Sequence, residues 1–491
     1  MAMLLSFSCV VIQARNAARY FSSLFVYTLA FSGLAIGCQP RATAELLNPE
    51  ITPNDVQVPS QNEQYSISGI SSGGFMAAQM GVIFSDRISG VGTVAGGVYY
   101  CAKDHFPIKY NERHSAGLML VESGNSSGES PLALVLNSLT DYLNGKVRLS
   151  VDNPLFQSMA ICMARPALAH SVNSSAPMDL AFVNDFYLDG LIANPANLQA
   201  QRYYSYHGEK DDVIQLAMQS KLVEFYSRFG VSSANLVVEK GSGGHNFPTD
   251  RSDGIDCNKE VVPYVANCKN DLAGKILKHL TGSEHLIRSA LNEANLYRIS
   301  QVTALYVDSV AEYGYLYASP KCLENSKRCH LHIALHGCKM ADTYDEAFQH
   351  AFEQQVITTG HLSVSEDEPA FGSTVSIKSK VSRFGSLRFA LDGGYGQYAE
   401  GNDLMILFPQ TQITAKNYPE NPKGCWDWFG WTAVDSVSSE GQGAGRFYAT
   451  NRGREPRWLN DLAQRVQADA KNLLLPWDKK SDEIAIARKI Q

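Results

Sequence analysis

Three short stretches carry side chains able to do chemistry. They are Gly69-Ile70-Ser71-Ser72-Gly73, His207-Gly-Glu-Lys-Asp211-Asp212-Val213 and Gly241-Ser-Gly-Gly-His245-Asn-Phe-Pro248. A serine hydroxyl is a weak nucleophile. It attacks a carbonyl only when a histidine takes its proton and an acid orients that histidine. Serine, aspartate and histidine in that chain order suit acyl transfer. Each has a plainer reading. Ser71 fits a glycine-rich turn before a helix, Asp211 fits a helix cap, for which Asp212 is the better candidate, and His245 fits a surface loop. Ser72 is a rival nucleophile without the symmetric glycine flanks. His207 and His336 are rival bases, each in a His-Gly pair suited to a turn beside a site.

The elements needed to position these groups are legible. Tyr65–Ser68 reads as a short strand and Phe75–Phe84 as a helix, so G-x-S-x-G falls on a strand-turn-helix junction. That junction is a nucleophile elbow, whose glycines avoid collision with neighbouring backbone. It also aims a helix N-terminus, which favours negative charge, at the reacting centre. Gly90–Ala95, Tyr203–Tyr206 and Asn235–Glu239 read as further strands. Met218, Leu222, Phe225 and Phe229 mark a helix between the last two. Asp211 and His245 thus follow strand ends, where sites in open α/β sheets gather. Leu331–Leu335 and Leu404–Phe408 are later strands. Leu459, Leu462, Val466, Ala470 and Leu473 mark a terminal helix. This alternation predicts an α/β fold with a mostly parallel sheet and helices on both faces. Gly117–Leu155 and Gly360–Glu400 break the rhythm and read as insertions into a single domain spanning 61–491.

An acyl-transfer site also needs an oxyanion hole. One donor is expected at the N–H of Ser72. The other should come from a loop after an earlier strand, but little chain precedes Ser71. The suitable element comes late, as His330-Leu-His-Ile-Ala-Leu-His336-Gly337-Cys338, with Cys338 N–H as the second donor. A circularly permuted α/β-hydrolase fold reconciles that order.

The chain has 491 residues, with 45% hydrophobic and 19% charged content and a net charge of -7. No basic surplus points to nucleic acid. Arg15 and Arg19 precede an apolar run, Tyr20 to Gly37, that reads as an export signal over 1–38. Leu34-Ala-Ile-Gly-Cys38 resembles a bacterial lipoprotein processing site, with Cys38 the lipid carrier. Residues 39–60 read as a polar tether. The expected location is outside the cytosol, as an outer-membrane lipoprotein or as a periplasmic or extracellular protein. Of ten cysteines, Cys9 and Cys38 belong to the targeting segment, leaving eight. An even set in an exported chain suggests disulfides, but spacing leaves their pairing open. Without a C-x2-C pair or an H-E-x-x-H helix, no metal site is expected.

Several segments in sequence resemble the fungal-type single-domain extracellular poly(3-hydroxybutyrate) depolymerases. They are SGISSGGFMAAQ, GGVYYCA, GEKDDV, GHNFPTD, VPYVANC, LHIALHGC, LMILFPQ and NPKGCWDWFGW. The likeness runs from about Tyr65 to Arg465, with gaps. It implies a circularly permuted α/β-hydrolase serine esterase with Ser71, Asp211 and His245 as triad, and the N–H groups of Ser72 and Cys338 as oxyanion hole. It implies the bridges Cys101–Cys162, Cys257–Cys268, Cys322–Cys329 and Cys338–Cys425, and a substrate-binding role for Trp428. Trp426 and Trp431 are expected in the core. The implied substrate is a polyester or its oligomers, with no cofactor and no nucleic-acid partner. The two insertions depart from compact relatives. Folded over a crevice, either would favour short oligomers over an insoluble polymer. Two other readings are a feruloyl- or acetyl-type carboxylesterase and a non-catalytic surface-binding lipoprotein.

Overall fold

In the computed structural model, described residues are 63–102, 162–163, 180–342, 385–413, 421, 423–430, 432 and 447–477. The expected export signal, Cys38, the tether and the 117–155 insertion lie outside them, as does Trp431. All described residues fall within one compact unit, Val56–Gln491.

The elements used below are, in chain order, β1 (Tyr65–Ile70), α1 (Ser72–Ile83), β2 (Ile88–Val94), α2 (Ala181–Leu188), β3 (Arg202–Gly208), α3 (Ala217–Arg228), β4 (Leu236–Gly241), β5 (Phe247–Thr249), β6 (Ile255–Asp256), β7 (Val265–Asn267), α4 (Leu272–Thr281), β8 (Leu296–Ser300), β9 (Tyr313–Ala318), α5 (Pro320–Glu324), β10 (His330–Leu335), α6 (Gly385–Asp392), α7 (Tyr395–Glu400), β11 (Leu404–Phe408), α8 (Arg454–Asp469) and β12 (Leu474–Leu475). Nine strands form one sheet in the order β12-β8-β9-β11-β10-β1-β2-β3-β4, and β5, β7 and β6 form a small second one. From β11 to β4 the neighbours run parallel. β9 pairs antiparallel with β11 and β8, and β12 antiparallel with β8. The first described strand therefore sits inside the sheet, between the late strand β10 and β2. That is the permuted order expected from the sequence.

Covering both faces explains the strand composition. In β11, Met405 and Leu407 join one core with α1, α3 and α8, while Leu404, Ile406 and Phe408 join the other with α4, α6 and α7. β8 and β9 were not among the strands read from sequence, and structure adds them at the antiparallel edge. Helix α4 is also new. Asp271 caps it by accepting the Gly274 N–H at 3.1 Å, Gly282 ends it at φ 68°, and Leu272, Ile276, Leu277 and Leu280 form its buried face. The terminal helix ends at Asp469, and Ala470–Leu473 continue as a 3-10 turn.

The second expected insertion is described only from Gly385. That part is core, not an added surface loop. Phe389 and Tyr395 of α6 and α7 are fully buried, and their rings meet Phe247 and Phe408. Tyr395 also anchors a buried polar chain along the β1–β10 seam. Its hydroxyl lies 2.7 Å from Ser68 Oγ, which lies 2.8 Å from His332 Nε2. His332 Nδ1 lies 2.8 Å from Ser66 Oγ. Just beyond β10, the buried His336 has Nδ1 2.8 Å from Gly337 O, and its Nε2 accepts the Thr411 N–H at 3.3 Å. That pattern puts the proton on Nδ1.

Two expectations follow. Phe389→Ala should cost about 3–5 kcal/mol in urea unfolding, the range for a buried aromatic; a cost near zero would return this segment to the surface. The second concerns acid. Burial holds His336 at about 4 and His332 well below the ordinary imidazole range. The unfolded chain, with imidazoles near about 6.5, binds more protons than the folded one as pH falls below that value. Stability is therefore full above about 6.5 and drains away as pH falls towards about 4. Urea midpoints should be lower at pH 5 than at pH 7, and His336→Gln should flatten that dependence.

Candidate active site

The serine sits where a strand must turn sharply into a helix. Ser71 has φ 56° and ψ -123°, a conformation a non-glycine residue adopts only under constraint. The constraint is backbone packing. A Cβ on Gly69 would lie 2.4 Å from the Gly73 carbonyl, and one on Gly73 would lie 2.4 Å from His336 O. Only glycine permits these approaches. Ser71 precedes α1, yet its side chain makes no capping hydrogen bond. A serine placed to cap the helix would bond the first-turn amides. Ser71 Oγ instead has no hydrogen-bond partner among the described residues.

The turn after β10 lies against this elbow. A Cβ on Gly337 would come 3.2 Å from that of Ser71. The N–H groups of Ser72 and Cys338 have no hydrogen-bond partner among the described residues. Cys338 is bridged to Cys425, which holds the following segment in place. There Trp426 donates its indole N–H to His336 O at 3.1 Å, and its backbone N–H to Ser72 Oγ at 3.3 Å. Trp426 is fully buried. Asp427 folds the next turn by accepting Gly430 N–H at 2.6 Å and Thr432 N–H at 3.1 Å. Its own N–H goes to Glu455 at 2.7 Å. Trp428 is also largely buried, its ring 5.4 Å from that of Phe75 in the first turn of α1.

The candidate acid and base follow neighbouring strands. Asp211 follows β3 and His245 follows β4. His245 Nδ1 lies 2.8 Å from Asp211 Oδ2, with both side chains buried. The other carboxylate oxygen accepts Val213 N–H at 2.9 Å and Ile214 N–H at 2.8 Å. Neither Asp211 nor Asp212 caps α3, whose N-cap is Leu216. Burial alone would raise the Asp211 carboxyl; the nearby His245 and its hydrogen bond, then His207 and the Ile214 amide, hold it below its ordinary value. His207 donates Nε2 to Ile214 O at 2.8 Å and stands 3.7 Å from Asp211 Oδ2. Burial pulls its pKa down. His207 and His336, the rival bases, thus brace the two loops from within.

The structure joins Asp211 to His245 and sets Ser71 against the Gly337–Cys338 turn. Among the described residues no hydrogen bond links Ser71 to His245. Ser71, Asp211 and His245 all lie beyond the C-terminal ends of parallel strands, β1, β3 and β4. The described residues hold no cluster of histidine, cysteine, aspartate and glutamate suited to a metal. The remaining bridges are Cys101–Cys162, Cys257–Cys268 and Cys322–Cys329.

One participant escaped the sequence reading. Glu260 Oε1 accepts the Asp212 N–H at 3.0 Å and the His245 N–H at 2.7 Å. A lone acid in a polar loop leaves no pattern to find.

No family model matches the chain. It is 25% identical over 411 residues to the polyhydroxybutyrate depolymerase of Talaromyces funiculosus, covering 81% of this chain and 88% of that protein. It is 26% identical over 381 residues to the poly(3-hydroxybutyrate) depolymerase of Delftia acidovorans, covering 77% of this chain and 57% of that protein. Among solved structures, a PHB depolymerase serine-to-alanine variant complexed with an R3HB trimer superposes with a TM-score of 0.53. It is 23% identical, over 84% of this chain and 98% of that one. The Penicillium funiculosum PHB depolymerase superposes with a TM-score of 0.52 at 23% identity, over 83% and 96%. Relatives in sequence and neighbours in fold thus carry one name, and it is the polyhydroxybutyrate depolymerases that this chain resembles.

Proposed function

We propose that this protein is a serine esterase that hydrolyses poly(3-hydroxybutyrate) or its oligomers through an acyl-enzyme. The carrying observation is the buried Asp211–His245 pair at the same sheet end as a serine in an uncapped, positive-φ elbow. A purely structural serine and histidine need neither feature. The relatives' names and the trimer bound to one of them supply the substrate class.

In this reading Ser71 Oγ attacks the ester carbonyl while His245 Nε2 takes its proton. The Asp211 carboxylate accepts from Nδ1, fixes the tautomer and stabilises the imidazolium. The carbonyl electron pair moves to oxygen, where the N–H groups of Ser72 and Cys338 and the N-terminus of α1 meet the negative charge. The tetrahedral centre collapses, the C–O bond of the alcohol breaks, and His245 returns its proton to that oxygen. Water then attacks the acyl-serine by the same route and releases the acid. The missing Ser71–His245 hydrogen bond does not oppose this, because such bonds often tighten only once substrate is bound. Trp428 beside Phe75 would offer an apolar wall to the ester chain. The four disulfides support a location outside the cytosol, with Cys38 as the proposed lipid anchor.

Amorphous poly(3-hydroxybutyrate), its soluble oligomers and a short aryl ester, offered side by side, test the proposal. Ser71→Ala and His245→Ala should each lower kcat by about 10^4-fold or more, and Asp211→Asn by about 10^2- to 10^4-fold. A fluorophosphonate should label wild type but not Ser71→Ala. Trp428→Ala should raise KM for oligomers more than for the aryl ester. Wild-type turnover by Ser71→Ala would sink the reading.

A further inference from the structure

The loops carrying Asp211 and His245 meet directly, with Glu209 N–H donating to Gly241 O at 2.7 Å and Lys210 N–H to Gly243 O at 3.0 Å, but none of these bonds reaches the His245 backbone. Between them runs Cys257-Asn-Lys-Glu260, and this short segment accepts hydrogen bonds from both. On the aspartate side, Lys210 Nζ donates to Asn258 Oδ1 at 2.9 Å, and Asp212 N–H to Glu260 Oε1 at 3.0 Å. On the histidine side, Gly244 N–H donates to Cys257 O at 2.9 Å, and His245 N–H to Glu260 Oε1 at 2.7 Å. Asn246 Nδ2 donates to Cys257 O at 2.7 Å and to Lys259 O at 3.1 Å. The Cys257–Cys268 bridge ties the segment back to the end of β7.

One atom is common to both sides. Glu260 Oε1 accepts from the residue after Asp211 and from His245 itself. Glycines on the histidine loop let the segment come this close: a Cβ on Gly243 would lie 2.7 Å from Cys257 Sγ, and one on Gly244 would lie 3.0 Å from Glu260.

We propose that Glu260 is a positioning residue that sets the His245 backbone relative to Asp211, and so the aim of the imidazole. The inference rests on the proposed roles of Asp211 and His245. Glu260 touches no reacting atom in this account. Without its oxygen, the buried His245 N–H loses its partner, and the residues next to the Asp211–His245 pair lose the acceptor they share. A misplacement of about 1 Å at such a distance from the chemistry can cost about 100-fold in rate.

Three variants of the full chain, assayed with p-nitrophenyl butyrate, separate position from charge. Glu260→Gln keeps an acceptor oxygen at the same reach and loses the charge; kcat should stay within about 3-fold of wild type. Glu260→Asp keeps the charge but withdraws the oxygen by one methylene; kcat should fall about 10- to 100-fold with KM nearly unchanged. Glu260→Leu should fall at least as far. If Leu prevents folding, the contrast between Gln and Asp decides. Wild-type kcat in Glu260→Asp overturns the inference, and so does a Gln variant as slow as Asp or Leu, which would make charge the active property. Ser71→Ala and His245→Ala run alongside. If they keep activity, the underlying triad reading fails; if they are dead while Glu260→Asp is unimpaired, only the positioning role fails.

Discussion

Backbone-to-backbone packing at Gly73 is the constraint on which the site depends. The first turn of α1 presses against the carbonyls that end β10, and no side chain fits between them. This contact brings the first described strand and one of the last into a single corner of the candidate site. It also holds Ser71 at positive φ, because the helix cannot retreat from β10. The strain, of order 1–3 kcal/mol for such a residue, is borne by the packed seam beneath it. There Ser66, His332, Ser68 and Tyr395 form an unbroken buried chain across β1 and β10. A one-residue slip of β1 would turn Ser66 and Ser68 to the opposite face, away from His332. Register and elbow are therefore coupled, and the seam's polarity works for position as well as for stability.

Burial of titratable groups has a similar double effect. His332 and His336 are fully buried and stay neutral. A neutral imidazole donates from one nitrogen and accepts at the other, which is what the Gly337 carbonyl and Thr411 N–H require of His336. Protonation would leave two donors where one acceptor is needed. The turn that presents Cys338 N–H thus relies on a histidine kept from charging. Asp211 shows the opposite balance: its partners outweigh burial and it stays ionised, as the role proposed for it requires.

Much of this was legible because periodicity and turn chemistry carry it. Met218, Leu222 and Phe225 are the buried face of α3, as their spacing requires. The displaced His-Gly-Cys loop pointed to permutation because an acyl-transfer site needs a second donor, whatever the chain order. The edge strands β8 and β9 were not legible, since an antiparallel edge beside a parallel sheet leaves no uniform pattern. Helix α4 was within reach: its aspartate cap and terminal glycine are written in the sequence. The pairing of cysteines came from family resemblance, since their spacing leaves it open. Gly385–Glu400 fell within a stretch read as an insertion because that stretch lacks rhythm; its Phe389, Tyr395 and Tyr398 sit on helices packed against the sheet. Glu260 was beyond reach, because its importance lies in the backbone amides it meets and not in its neighbours in sequence.

The two halves of the site are built on different principles. Asp211 and His245 belong to one β3–α3–β4 unit, so their meeting is local and survives any reordering of the rest of the chain. Ser71 and Cys338 meet only across the β1–β10 seam, between segments distant in sequence. A permuted chain leaves the local half intact, but the distant half joins segments far apart in the chain. That is where the reinforcement lies: the glycine contact at Gly73, the Cys338–Cys425 bridge, and Trp426 reaching both His336 and Ser72. Loop-closure entropy rises only slowly with length, so the long excursion between β1 and β10 costs little more than a short one would. Permutation is tolerated because sheet position, not chain order, fixes where each strand end points.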